Sequence, residues 1–179
     1  YKRGMLLLSR GMNDEALKTF DEILAQDPRY APALEGRGRV RMAAGDFGGA
    51  MECFNEALAA DPKLWQVHAL KGYLYDRRRD YDAAIAEYEK GIAVNGKSGM
   101  LFNNLGMSLY LKKDYPKAID AYVKAVRIDS ANRRVFNNLG LALFKVGRYD
   151  EALQAFRQGG DEAAAYNNMG CLYLAEKKH

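Results

Sequence analysis

Apolar and polar positions along this chain recur at helical spacing, interrupted at short intervals by turn signals. Phe102, Leu105, Gly106 and Leu109 share one face of a helix, and Ala118, Ile119, Tyr122, Ala125 and Val126 share one face of a second. Between them stands Lys113-Asp114-Tyr115-Pro116. Aspartate is a favoured N-cap, and a proline in the first helical turn forfeits no needed hydrogen bond. The pattern predicts a helical hairpin within residues 99–132. Gly11, Gly45 and Gly147 stand where the first helices of other hairpins should end, a place that wants a left-handed residue. Asp27-Pro28 and Asp61-Pro62 mark the ends of second helices.

The hairpin repeats along the chain. Gly4, Gly38, Gly72, Gly106 and Gly140 are each 34 residues apart. Ala16, Ala50, Ala84, Ala118 and Ala152 keep the same spacing, as do Phe20, Phe54, Tyr88, Tyr122 and Phe156. A small residue on the first helix and an aromatic on the second, in fixed register, predict close packing inside each hairpin. A further unit announces itself at Gly170, only 30 residues after Gly140, with Gly159-Gly160 in the shortened stretch. One second helix should therefore be short by a turn. The expected fold is all-α, a single array with units at 1–30 (partial), 31–64, 65–98, 99–132, 133–162 (shortened) and 163–179 (first helix alone). It is expected to be part of a longer array, because Leu172 and Tyr173 would want a covering helix.

Composition narrows the function classes. The chain has 179 residues, 49% hydrophobic and 28% charged, with 4 prolines, which is a folding composition. No apolar run approaches the roughly 18 residues of a membrane span. The net charge of +4 arises entirely after residue 98: residues 1–98 carry 15 charges of each sign, and residues 99–179 carry 12 basic and 8 acidic. No basic stripe alternates with exposed aromatics, so nucleic acid is not expected as a partner. Cys53 and Cys171 lie far apart with 2 histidines for company, which suits neither a disulfide framework nor a metal site.

The residues resemble the tetratricopeptide repeat family. Phe136, Leu139, Gly140, Ala152 and Phe156 carry its pattern in one unit, and Leu34, Gly38, Ala50, Phe54, Ala57 and Pro62 in another. The resemblance implies a right-handed superhelical solenoid whose first helices line a concave groove. Arg37, Arg41 and Lys71 stand where the family usually has leucine or an aromatic, so their stems should pack while their charged heads reach water.

Catalytic chemistry is not expected, nor a cofactor. Asp46-Phe47-Gly48 spells the kinase metal-binding tripeptide but sits at a hairpin turn without the accompanying loops. Gly36-Arg37-Gly38 lacks the third glycine and the preceding strand of a dinucleotide fingerprint. His68 occupies a packing position, the cysteines have no base nearby, and Glu87 and Glu89 read as solvated charge on an outer face.

Binding is better supported. Opposite the packed side of the first helices lie Met100, Asn104, Met107 and Leu111 in one unit, Arg134, Asn138, Leu141 and Lys145 in the next, and Ala164, Asn168, Cys171 and Ala175 after it. The doublets Asn103-Asn104, Asn137-Asn138 and Asn167-Asn168 fall at one place in successive units. An amide offers donor and acceptor together, so Asn104, Asn138 and Asn168 could bond the backbone of an extended peptide. This is similar to the asparagine ladder in the repeats of O-linked N-acetylglucosamine transferase and kinesin light chain. The competing reading is structural, with Asn103, Asn137 and Asn167 bonding between helices. Tyr73, Arg39 and Arg77 join Arg134 and Lys145 on the same side, and the run Arg77-Arg78-Arg79 would favour acidic segments of a partner. The carboxylate clamp of co-chaperone repeats is not reproduced: its positions hold Glu35 and Arg39, then Ala69, Leu70 and Tyr73.

A second resemblance is to the TadD-type lipoproteins of bacterial tight-adherence pilus assembly. It rests on Asn-Asn-Leu-Gly-Met-Ser-Leu at 103–109, Arg134-Val135 followed by Asn138-Leu139, and the shortened late repeat before an alanine-rich helix. It implies an assembly factor in the periplasm, while a cytoplasmic scaffold remains the other setting. The expected function is a non-enzymatic scaffold holding an extended segment of a partner protein. The alternatives are the regulatory repeat region of a larger enzyme, such as a glycosyltransferase, and a structural module that self-associates through its open ends.

Overall fold

The computed structural model describes residues 1–176. Over these residues the chain forms α-helices joined by short turns: α1 (Lys2–Ser9), α2 (Asn13–Gln26), α3 (Ala31–Ala43), α4 (Phe47–Ala60), α5 (Trp65–Arg77), α6 (Tyr81–Val94), α7 (Gly99–Leu111), α8 (Tyr115–Ile128), α9 (Arg133–Lys145), α10 (Tyr149–Gly159) and α11 (Glu162–Glu176). The helices pack in sequential pairs, α1 with α2, α3 with α4, α7 with α8 and α9 with α10, as a solenoid of hairpins requires. The sixth unit's last residues, 177–179, lie outside the described residues.

Two compact units divide the chain, the first running from Tyr1 to Arg78 and the second starting at Arg79. In the first, Phe20 and Phe54 are fully buried, and the glycines opposite them set the helix separation. A Cβ on Gly4 would lie 2.7 Å from the Phe20 ring, and one on Gly38 2.5 Å from the Phe54 ring. In the second unit, Gly106 meets Tyr122 and Gly140 meets Phe156 in the same way, each at 2.7 Å. The 34-residue coincidence of glycine and aromatic is thus one repeated contact. Its closeness explains why nothing larger than glycine stands at the first position.

The hairpin turns are closed by two devices. Asp46, Asp80 and Asp114 cap α4, α6 and α8, accepting from the backbone N–H of Gly49 (2.9 Å), Ala83 (3.2 Å) and Lys117 (3.4 Å). Asp46 therefore belongs to a turn, which settles the tripeptide at 46–48. One residue before each cap position, the backbone is left-handed: Gly11 (φ 75°), Gly45 (φ 82°) and Gly147 (φ 76°), but also Arg79 (φ 59°) and Lys113 (φ 69°). The following N–H groups of Met12, Asp46, Asp114 and Arg148 reach back to the carbonyls of Leu7, Arg41, Leu109 and Leu143 at 3.0, 2.9, 2.9 and 3.0 Å. This is the Schellman closure that a helix end uses to satisfy its last carbonyls.

Helix α10 has 11 residues where α2, α4, α6 and α8 have 14. Only Gly160-Asp161 separates it from α11. Gly159 lets the end of α10 press onto α9: a Cβ there would lie 2.2 Å from Asn137 Oδ1 and 3.0 Å from the Arg133 carbonyl oxygen.

Candidate functional site

The residues that the helical wheels place opposite the packed side of α7 and α9 differ in exposure. Met100 and Leu111 are exposed, at 49% and 44%, while Asn104 and Met107 are half-buried. On α9, Arg134 and Lys145 are exposed and Leu141 is half-buried. On α11, Asn168 is half-buried and Cys171 exposed. In the first unit Tyr73 is exposed on α5.

The three ladder asparagines are not equivalent. Asn138 is buried, and its Nδ2 donates to Asn103 Oδ1 at 2.9 Å. Asn103 Nδ2 in turn donates to Asn104 Oδ1 at 3.4 Å. The amides form a relay from α9 to α7 that ends on Asn104, whose own N–H groups have no partner among the described residues. Asn168 sits apart, with Asn137, Leu141, Phe156, Cys171 and Leu172, around a pocket of about 250 Å³. Asn137 Oδ1 is buried without a hydrogen-bond partner. Of the inner members of the doublets, Asn103 does bond between helices.

The relay opens onto a cleft of about 570 Å³ lined by Met100, Asn103, Asn104, Ala131, Asn132, Arg133 and Arg134. Arg133 and Arg134 occupy the first turn of α9, which holds no acidic residue, and neither makes an ion pair among the described residues. The sequence reading found Met100, Asn104 and Arg134 but missed Arg133 and Asn132. Asn132 precedes α9, and Arg133, its first residue, lies one position away from the wheel angle that picked out Arg134. The available signal was an Arg-Arg pair within the stretch that carries the whole charge surplus.

Arg39 and Arg77, also picked from the sequence, are occupied. Arg39 Nε and Nη2 both reach Glu35 Oε1 at 2.8 Å, and Glu35 is buried. The Arg77 guanidinium lies 4.5 Å from the centre of the Phe47 ring and within 3.4 Å of the Tyr73 hydroxyl. The Arg37 head is held by the protein, not by water alone: Nε donates to Cys53 Sγ at 3.3 Å and Nη2 to Glu56 at 2.8 Å. Glu87 departs from expectation. It is 5% exposed and accepts from Lys90 Nζ at 2.9 Å, whereas Glu89 is exposed.

A groove lies on the other side of the second unit, about 420 Å³ between α8 and α10. Its apolar floor is Ile119, Val123, Phe136, Leu139 and Leu143, and the Arg148–Glu151 ion pair stands at its rim. Arg148 holds the exposed Glu151 carboxyl below the usual carboxylate range. Among the described residues no His, Cys, Asp and Glu cluster could hold a metal ion, and no helix is long and apolar enough to cross a membrane.

The fold is shared with solved structures at low sequence identity. MamA matches with a TM-score of 0.78 and 23% identity over 98% of this chain and 97% of that one. PilF of Pseudomonas aeruginosa gives 0.81 and 23% over 89% of this chain and 74% of that one. MamA of Desulfovibrio magneticus RS-1, from residue 41 onward, gives 0.79 and 21% over 90% and 92%. At such identities the likeness speaks for the fold alone. No curated protein matches the chain in sequence. Residues 1–64 and 66–98 match the family described as tetratricopeptide repeat, and residues 106–147 that described as TPR repeat. With glycine meeting aromatic in the same register at Gly4, Gly38, Gly106 and Gly140, and with these matches spread along the chain, it belongs to the tetratricopeptide repeat proteins.

Proposed function

We propose that this chain is a non-enzymatic protein-interaction module that holds an extended segment of a partner protein against the first helices of its second unit, α7, α9 and α11. The observation that carries the reading is the amide relay ending on Asn104, beside the exposed Met100 and the half-buried Met107 and Leu141. It presents unsatisfied hydrogen-bond donors among apolar side chains, which is what an extended backbone with alternating side chains requires. Tetratricopeptide repeats are typically protein-binding modules, and this supports the reading further. A bacterial pilus or secretion assembly is the setting favoured by the TadD-type features at 103–109, 134–139 and the short repeat.

The test is a displayed library of random peptides, selected on the protein and then crosslinked from benzoylphenylalanine placed at Met100, at Leu141 or at Gln154 on the α10 side. Selected peptides should crosslink from Met100 and Leu141. Peptides that label only from Gln154, or none enriched at all, would overturn the proposal. Light scattering against concentration separates peptide binding from self-association, which the exposed Tyr166, Tyr173 and Leu174 of α11 would otherwise favour.

A further inference from the structure

The cleft between α7 and the start of α9 offers donors. Arg133 and Arg134 have no acceptor atoms in their side chains, and Asn104 contributes N–H groups because its oxygen is already taken by Asn103. The nearest acidic group by sequence, Asp129, is occupied: its oxygens accept from the Ala131 backbone at 3.2 Å and from Asn132 Nδ2 at 3.4 Å. Nothing in the described residues neutralises the two arginines. Arg37, Arg39, Arg41, Arg148 and Arg157 each have an acidic partner and Arg77 stacks on Phe47, whereas Arg133 and Arg134 stand together in this cleft beside the Asn104 amide.

Their position also works against the fold. The first turn of a helix is its positive end, so two adjacent cations there are unfavourable unless an anion offsets them. Local choices that oppose stability without a compensating contact mark functional sites. The free cleft volume of about 570 Å³ leaves room for a side chain together with the backbone that carries it.

We infer that this cleft is a subsite for the carboxylate of an aspartate or glutamate in a bound peptide. Arg133 and Arg134 supply the charge, and the Asn104 amide supplies an oriented neutral donor. The subsite rests on the reading that the first-helix faces bind peptide, and it adds the chemistry of the ligand and the repeat junction that reads it.

The peptide selection is repeated with the R133E/R134E protein and with R133Q/R134Q, alongside thermal unfolding of each. Peptides selected on the wild-type protein should be enriched in Asp and Glu and should crosslink from Met100. The affinity of such a peptide should fall by about tenfold or more in both variants and weaken with added salt. The R133E/R134E protein should unfold no earlier than wild type, because acidic residues suit the start of a helix. If it does not fold, R133Q/R134Q carries the comparison. Peptides that crosslink from Met100 without an acidic excess, or whose affinity survives both substitutions, would overturn the subsite and leave the groove reading intact. Failure to enrich any peptide would remove both. A labelled oligothymidylate that binds more tightly than the peptides would overturn the assignment in favour of nucleic acid.

Discussion

Asn138 on α9 and Asn103 on α7 meet side chain to side chain, Nδ2 to Oδ1 at 2.9 Å, across one repeat junction. Asn138 is 8% exposed, and its replacement by alanine empties a buried position and takes the donor from the half-buried Asn103 Oδ1. Asn138→Ala should destabilise the protein by about 1–2 kcal/mol, measured as a shift in the urea midpoint. Asn104→Ala should cost less, because it removes only the longer 3.4 Å bond that Asn103 Nδ2 donates to Asn104 Oδ1. Equal losses from the two would contradict the direction of the relay.

Gly106 and Tyr122 define a second test. A Cβ on Gly106 would lie 2.7 Å from the Tyr122 ring, which is itself 1% exposed and cannot withdraw. Gly106→Ala should cost about 1–3 kcal/mol despite the better helix propensity of alanine. Adding Tyr122→Leu should recover part of that loss, and the coupling can be read from a double-mutant cycle in denaturant. Strict additivity would show that the contact does not set the helix separation.

The hairpin turns predict opposite signs for two similar changes. Gly147 has φ 76° with open space around it, so Gly147→Ala meets strain alone and should cost about 1 kcal/mol. Lys113 has φ 69°, and Lys113→Gly should leave the thermal midpoint unchanged or raise it, since the relief of strain opposes the entropy of glycine and the loss of a cation at the helix end. A clear fall in the midpoint on Lys113→Gly would refute this account.

Tyr122 also governs behaviour in alkali. Burial pushes its phenol well above the ordinary tyrosine value of 10.0, with Tyr110 adding to the rise. In the unfolded chain it ionises near pH 10, whereas in the folded chain it stays neutral to higher pH. The unfolded state therefore binds fewer protons in that window, and stability should fall as pH rises above about 10. Tyr122→Phe should flatten this alkaline limb in unfolding measured between pH 9 and 11. An unchanged slope would place the effect on other tyrosines.

The fold was legible because its information is periodic. Gly38 with Phe54 and Gly140 with Phe156 are the same contact displaced by whole periods, so spacing alone reveals both the hairpin and its partner helix. The short α10 was legible for the same reason, as a missing beat. The site was less so, because a helical wheel assigns Asn104 and Asn138 the same angle. Their difference comes from the neighbouring Asn103, which takes a bond from one and gives a bond to the other. Arg39 and Arg77 looked available because their angles suit a groove, yet buried Glu35 and the Phe47 ring claim them. The left-handed turns at Arg79 and Lys113 were hidden by their side chains, which ordinarily avoid that conformation.

Those turns have a wider meaning. At positions 11, 45, 79, 113 and 147 the chain reverses through one backbone conformation with three different residue types. At four of them the reversal is written in main-chain hydrogen bonds whose groups every residue but proline possesses. Shape there is stored independently of side-chain identity. At a strain cost of about 1 kcal/mol, the letters at these positions can spell something else, as Arg79 and Lys113 do, and each turn becomes an address on the surface where charge, a label or a tether can be changed while the array keeps its form.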